Sequence, residues 1–146
     1  LTAAFFTDRD LGRRLPERLR AAGFVVHIHD NHFGSTTPDE DWLAEVGARG
    51  WYVLSRNHRI RYQPNEVSAV MRAKVGVIFL VGKVPHAELA ENVVRTKAAL
   101  ERFIGKHERP FLAKLHLPSA SVRAKRPDAP GDLSLWMTAA DWRPGA

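Results

Sequence analysis

The sequence predicts an α/β protein with a largely parallel sheet. Three observations point there. Apolar runs of strand length alternate with amphipathic patterns of helical length, and short Gly-, Pro- or Asp-containing breaks separate them. The most apolar run, Val75–Val81, has the length and composition of a buried strand.

In chain order, Leu1–Phe6 reads as a first strand. Arg13–Ala22 follows as a helix with Leu15, Leu19 and Ala22 at helical spacing, Pro16 in its first turn and Gly23 as its stop. Phe24–His29 is a second strand and Asp30–Thr37 a polar loop. Thr37-Pro38-Asp39-Glu40 supplies a cap, a first-turn proline and acids that match the helix dipole, opening a helix that runs to Arg49 and closes at Gly50. Trp51–Leu54 is a short third strand, Ser55–Arg61 a basic loop and Pro64–Lys74 a further helix. After Val75–Val81, one long helical pattern spans Pro85–Ile104 and presents Leu89, Val93, Leu100 and Phe103 largely on one face. Phe111–Leu117 reads as the last strand, and residues 118–146 as a tail that docks on the domain through Leu133-Ser134-Leu135-Trp136.

The 146 residues amount to about one domain. With no cysteine, disulfides, thiolate zinc sites, iron–sulfur clusters and cysteine nucleophiles are excluded, and a cytoplasmic setting is expected. No apolar run reaches the roughly 18 residues a membrane span requires. The first residues run straight into Thr7-Asp8 like a strand, not like a signal peptide. The formal charge of +6 favours an acidic partner. Arginine dominates the cations, and its planar fork suits phosphate, which ranks nucleic acid above a membrane surface.

In an open parallel sheet, functional groups gather at the carboxyl ends of the strands. Asp8 belongs there, and Asp39, Glu40 and Asp41 open the helix that follows the second strand at the same edge. Asn57 follows the third strand by three residues. Oxygen ligands without cysteine suit Mg²⁺ or Mn²⁺, which can activate water and neutralise a scissile phosphodiester. The plainer reading makes Asp39 and Glu40 helix-dipole partners and Asp8 a turn residue. Arg9, Arg13 and Arg14, with Arg56, His58, Arg59 and Arg61, would ring this edge as RNA-phosphate contacts or as a solvated basic surface. Trp42 and Trp51 read as core. His27-Ile28-His29-Asp30-Asn31-His32 is similar to the His-x-His-x-Asp-His zinc motif of metallo-β-lactamase-like hydrolases, but its Asp comes one residue early. A phosphate-receiver domain lacks support, because Asp8 has no adjacent partner acid and the third-strand acceptor would be Asn57.

Four segments in order, Phe5–Gly12, Ala21–Phe24, Pro38–Leu43 and Gly50–Tyr62, resemble the PIN-like domains related to VapC toxins. The resemblance spans roughly residues 1–117. It implies a three-layer PIN-like fold and a Mg²⁺-dependent (or Mn²⁺-dependent) endoribonuclease of a toxin–antitoxin pair, leaving a 5′-phosphate and a 3′-hydroxyl. It also implies RNA, a cognate antitoxin and a homodimer as partners. By motif, Asp8 is the first-strand acid and Asp39-Glu40-Asp41 the acidic helix start, with Asp8, Asp39, Asp41 and Asn57 as the catalytic and metal-binding set. The family carries Asp in a Thr-Lys/Arg-Asp context where this chain reads Ser55-Arg56-Asn57. Asn keeps one carbonyl oxygen and loses the charge, which weakens the hold on a cation and turnover. The alternative is a catalytically silent protein that uses the same fold to bind RNA or antitoxin.

Overall fold

The computed structural model describes residues 3–143, so Leu1 and Thr2 of the expected first strand lie outside the described residues. The chain runs β1 (Ala4–Thr7), a 3-10 turn (Arg9–Leu11), α1 (Arg14–Ala21), β2 (Val25–Ile28), α2 (His29–His32), α3 (Asp39–Arg49) and β3 (Tyr52–Ser55). A second 3-10 turn (His58–Tyr62), α4 (Pro64–Ala73), β4 (Gly76–Val81), α5 (His86–Arg95) and α6 (Lys97–Lys106) follow. It ends with β5 (Phe111–His116), α7 (Ala120–Lys125), β6 (Asp132–Thr138) and a 3-10 turn (Ala139–Asp141). The sheet order is β2-β1-β3-β4-β5-β6, with every pairing parallel except β5–β6. This is the expected α/β fold, a mostly parallel sheet between helical layers.

Period-2 alternation splits the strand side chains between two cores. On one face Phe5, Leu54, Ile78, Leu80, Ala113 and Leu115 meet Leu15 and Leu19 of α1, Leu89, Ala90 and Val93 of α5, and Leu100 of α6. On the other, Phe6, Val53, Val77, Phe79 and Leu112 meet Trp42, Leu43 and Val46 of α3 and Val67, Val70 and Met71 of α4. Trp42 and Trp51 are both buried in this second, aromatic core. The α3–α4 contact depends on Gly47, where a Cβ would run into the Ala73 carbonyl. Gly50, at φ +72°, ends α3 in the left-handed conformation that residues with a Cβ resist.

Four expectations are corrected. The single pattern over Pro85–Ile104 is two helices, because the Thr96 hydroxyl donates to the Asn92 carbonyl (2.6 Å) and bends the ladder there. The same hydroxyl accepts the Gly131 N–H (2.8 Å), so the bend also anchors the approach to β6. Phe111–His116 is not the last strand. The segment expected as a tail supplies α7 and then β6, which pairs antiparallel with β5 and places Met137 against the aromatic core. Within the expected loop Asp30–Thr37, one helical turn forms over His29–His32, closed by Phe33 N–H donating to the His29 carbonyl (2.9 Å) and by Phe33 packing on Phe6 (5.8 Å). The expected loop Ser55–Arg61 likewise gives Ser55 to β3 and then coils into a 3-10 turn capped by Asn57.

Candidate active site

β1 lies between β2 and β3, so the chain leaves β1 in one direction and returns past it to β3. That reversal opens a crevice outside the carboxyl ends of β1 and β3, where open α/β sheets place their ligands. Asp8 ends β1 there, and its N–H donates to the Leu54 carbonyl of β3 (3.0 Å). Its carboxylate accepts the Arg9 N–H (2.7 Å) and the Ser55 hydroxyl (3.1 Å), and the Ser55 oxygen accepts the Asn57 N–H (3.0 Å). The Asp8 carboxylate and the Asn57 backbone N–H are thus joined through one serine. The Asn57 carbonyl oxygen itself accepts the Arg59 N–H (3.3 Å).

Two helices bring further carboxyls to this crevice. Asp39 is the first residue of α3, and its Oδ1 accepts the buried Trp42 indole N–H (2.8 Å), which fixes it on the side of α3 facing the sheet. Asp41 is two helical residues on, about 200° around the axis, and lies exposed, as does Glu40. The structure therefore brings Asp8 and Asp39 together, ties the Asn57 backbone beside them with its side chain turned to cap the following 3-10 turn, and leaves Asp41 apart. Glu66, in the first turn of α4, completes the group. Its Oε2 is buried without an N–H or hydroxyl donor. Burial first, then a carboxyl–carboxyl hydrogen bond with Asp39 that keeps the proton on Glu66, and then the charges of Asp39, Asp8 and Glu40, push its pKa up to about 7. Burial also raises the Asp8 pKa, with hydrogen bonds from Arg9 and Ser55 opposing and Asp39 adding to the rise. Asp10 accepts the Arg56 N–H (2.9 Å) and is pushed up to about 6 by loss of water and then by the Asp8 charge.

Among the described residues no three His, Asp or Glu side chains converge into a ready-made metal cage. Asp8, Asp10 and Asp39 have each taken a protein donor, whereas Glu66 has taken none and lies against Asp39. The donor set nonetheless fits a hard divalent cation. Mg²⁺ is commonly held by one or two carboxylates plus water and substrate phosphate, and the Glu66 carboxyl, which takes no N–H or O–H donor of the protein other than the proton it can share with Asp39, could exchange that proton for a cation.

The cations divide by use. Arg9 donates to the Ser35 carbonyl (2.7 Å) and stands 3.5 Å from Asp30, while Arg13 donates to Asn31 Oδ1 (2.9 Å), so both brace the loop after β2. Arg56 donates to the carbonyls of Gly82 (2.7 Å) and Val84 (2.9 Å), clamping the end of β3 to the chain after β4. Arg14 and Arg59 are exposed, His58 is half-buried against Phe79, and Arg61 lies beside Tyr62 and Trp136. The histidine cluster packs against aromatic rings: His27 stacks on Trp51 at 3.8 Å with His32 edge-on to both, and His29 is buried against Phe6 and Trp42.

Sequence reasoning passed over Glu66 and Asp10. The signal for Glu66 was present: Pro64-Asn65-Glu66 opens the helix after the third strand as Pro38-Asp39-Glu40 opens the helix after the second.

A sheet of this order with acids at its switch point defines a class, and comparison with known families agrees. A family model described as a PIN-like domain matches residues 3–82, which carry all of these groups. The chain belongs to the PIN-like domain family. PIN-like domains are commonly nucleases, which supports a hydrolase at that coarse level. No curated protein and no solved structure matches the chain. No described helix is long and apolar enough to cross a membrane.

Proposed function

We propose that this protein is a Mg²⁺- or Mn²⁺-dependent endoribonuclease and the toxin of a toxin–antitoxin pair, with RNA and a cognate antitoxin as partners. The observation that most supports the nuclease reading is that Asp8 after β1, Asp39 of α3 and Glu66 of α4 come near enough at the carboxyl edge of the sheet for Asp39 and Asp8 to act on the Glu66 carboxyl. Asp8 and Asp39 would hold the cation, and Glu66 supplies a carboxyl that Asn57 does not. When bound, the cation would neutralise charge on the phosphodiester and lower the pKa of a water. Hydrolysis joins the water oxygen to phosphorus and breaks the bond to the 3′ oxygen, which takes up a proton. The products are a 5′-phosphate and a 3′-hydroxyl. Ser55 and the Arg9 N–H hold the Asp8 carboxylate in place, and the Trp42 indole does the same for Asp39.

The silent-binder reading is favoured by one observation, that the Asn57 side-chain oxygen is already occupied as a cap. Incubation of structured and unstructured RNAs with Mg²⁺ or Mn²⁺ separates the two. The chain and its Asn57→Asp variant are expected to cleave, the variant faster, and Asp8→Asn to abolish cleavage. Inert wild-type and Asn57→Asp proteins that still bind RNA would establish the silent reading.

A further inference from the structure

Lys114 and His116 of β5 lie on the same side of the sheet as Leu112, which is buried in the aromatic core. A face meant for the core would continue apolar. Here Lys114, His116 and Trp136 are half-exposed, and Ser134 and Asp132 are exposed. The Lys114 ammonium stands 3.9 Å from the Trp136 ring centroid, and Trp136 meets Tyr62 edge-on at 5.9 Å. Tyr62 is 73% exposed, the most open of the large apolar side chains. The Arg61 guanidinium lies 5.8 Å from the Tyr62 ring and 6.0 Å from Trp136, and its Nε is buried without a partner. Neither Arg61 nor Lys114 forms an ion pair among the described residues. A cleft of about 440 Å³ opens beside Tyr62, floored by Met137 and Trp142 and rimmed by Arg143. The acid at this rim, Asp141, is tied to the N–H and hydroxyl of Thr138. The patch begins at His58, next to Asn57, so it runs directly from the crevice of the candidate active site.

We propose that this face is a platform for single-stranded RNA leading away from the candidate active site, with Tyr62 stacking a nucleobase and Lys114 and Arg61 meeting the flanking phosphates. The proposal rests on the nuclease reading of the adjoining crevice. An open aromatic ring gives a sequence-tolerant stacking surface, and unpaired cations beside it match a polyanion. A duplex keeps its bases stacked on one another and offers Tyr62 no free ring.

The test uses fluorescence anisotropy of 5′-fluorescein-labelled U12 and A12 oligoribonucleotides in EDTA, so that binding is read without cleavage. Tyr62→Ala is expected to weaken binding about 10-fold, Tyr62→Phe to restore it, and Lys114→Ala to flatten the salt dependence by about one phosphate contact. An unlabelled duplex should compete poorly. Tyr62 is exposed, and thermal melts verify that each variant folds. Tyr62→Ala binding within two-fold of wild type, equal competition by duplex, or no binding of either oligonucleotide by the wild-type chain would each overturn the platform. A pull-down in which Tyr62→Ala loses a protein partner while its RNA binding stays intact would assign the face to that protein instead. The nuclease reading fails separately, on absent cleavage by Asn57→Asp with Tyr62-dependent binding retained.

Discussion

The two helix pairs that sandwich the sheet begin at the same edge and offer different charge, mixed on one face and acidic on the other. α1 and α5 meet through aliphatic side chains and an exposed two-pronged contact of Arg18 with Glu91 (2.7 and 2.9 Å), and their N-termini present Arg13 and Arg14 together with Glu17 and Glu88. α3 and α4 meet at Gly47 over a stack in which Phe6 lies 5.3 Å from Trp42 and 6.1 Å from Trp51, and their N-termini present Asp39 and Glu66. Topology alone puts both sets at the carboxyl edge of the sheet. Only the pair on the aromatic face brings buried carboxyls close to Asp8. The acidic pair is locked at Gly47 and by the Trp42 indole on Asp39, which suits groups proposed to hold a cation.

The largest effect that would sharpen this contrast is expected from Trp42→Ala. It should cost about 3–5 kcal/mol in denaturant unfolding through the cavity left in the aromatic core. Leu19→Ala on the opposite face should cost about 2–5 kcal/mol. The difference lies at the site. Trp42→Ala also frees Asp39, so the rise in Tm on adding Mn²⁺ should vanish, whereas Leu19→Ala should keep that rise. Equal Mn²⁺ responses would mean that Asp39 needs no anchor.

Gly47→Ala comes next. The methyl group must displace the Ala73 carbonyl, so α3 and α4 separate, at about 1–3 kcal/mol. Because Asp39 and Glu66 ride on these two helices, RNA cleavage should fall further than global stability predicts. Unchanged cleavage at reduced Tm would show that the spacing of the pair is not what sets the site.

Much of this was legible in the sequence. Alternating strand and helix patterns gave the architecture, since a strand buried on both faces and a helix with one apolar stripe leave different periods in the chain. Asp8 and Asp39 were legible because strand ends and helix starts share an edge in any parallel sheet. The choice between Asp39 and Asp41 was not, because it depends on the Trp42 indole, a contact made only when α3 packs. The bend at Thr96 depends on Gly131, 35 residues away. β6 was hidden because one of its faces meets solvent at a sheet edge, so its apolar pattern is thin and sits among Pro, Gly and charge.

Asn57→Asp adds a charge to the crevice without touching either core. The backbone of residue 57 is tied through Ser55 to Asp8, so a carboxylate carried there would add negative charge near the Asp8 carboxylate, and the metal-free variant should be less stable by about 1 kcal/mol. Binding of Mg²⁺ or Mn²⁺ to the native state only should more than return it, giving the variant the larger metal-induced rise in Tm. A larger rise for the wild-type chain would place residue 57 outside the metal shell.

The smallest effect is the pH dependence that Glu66 imposes on the metal-free protein. Its carboxyl, ordinarily near 4.5, is pushed up to about 7 in the folded chain by burial and by Asp39, Asp8 and Glu40. Between those values the native state binds more protons than the unfolded state, so stability falls as pH rises. Asp10, pushed up to about 6, adds a fall of the same sign that ends earlier. Glu66 is partly open to water, and screening reduces its share to about 1 kcal/mol, or about 3 °C in Tm. Melts in EDTA from pH 4.5 to 8 should therefore decline for the wild-type chain. The decline should be shallower for Glu66→Gln, with the Asp10 share of the remaining slope fading above about pH 7, since Asp10 is half-titrated near 6. Saturating Mn²⁺ should flatten the wild-type curve as well, since a cation replaces the proton that the crowded carboxylates otherwise retain. A Glu66→Gln curve parallel to wild type throughout would separate Glu66 from Asp39 and return α4 to the role of a plain covering helix.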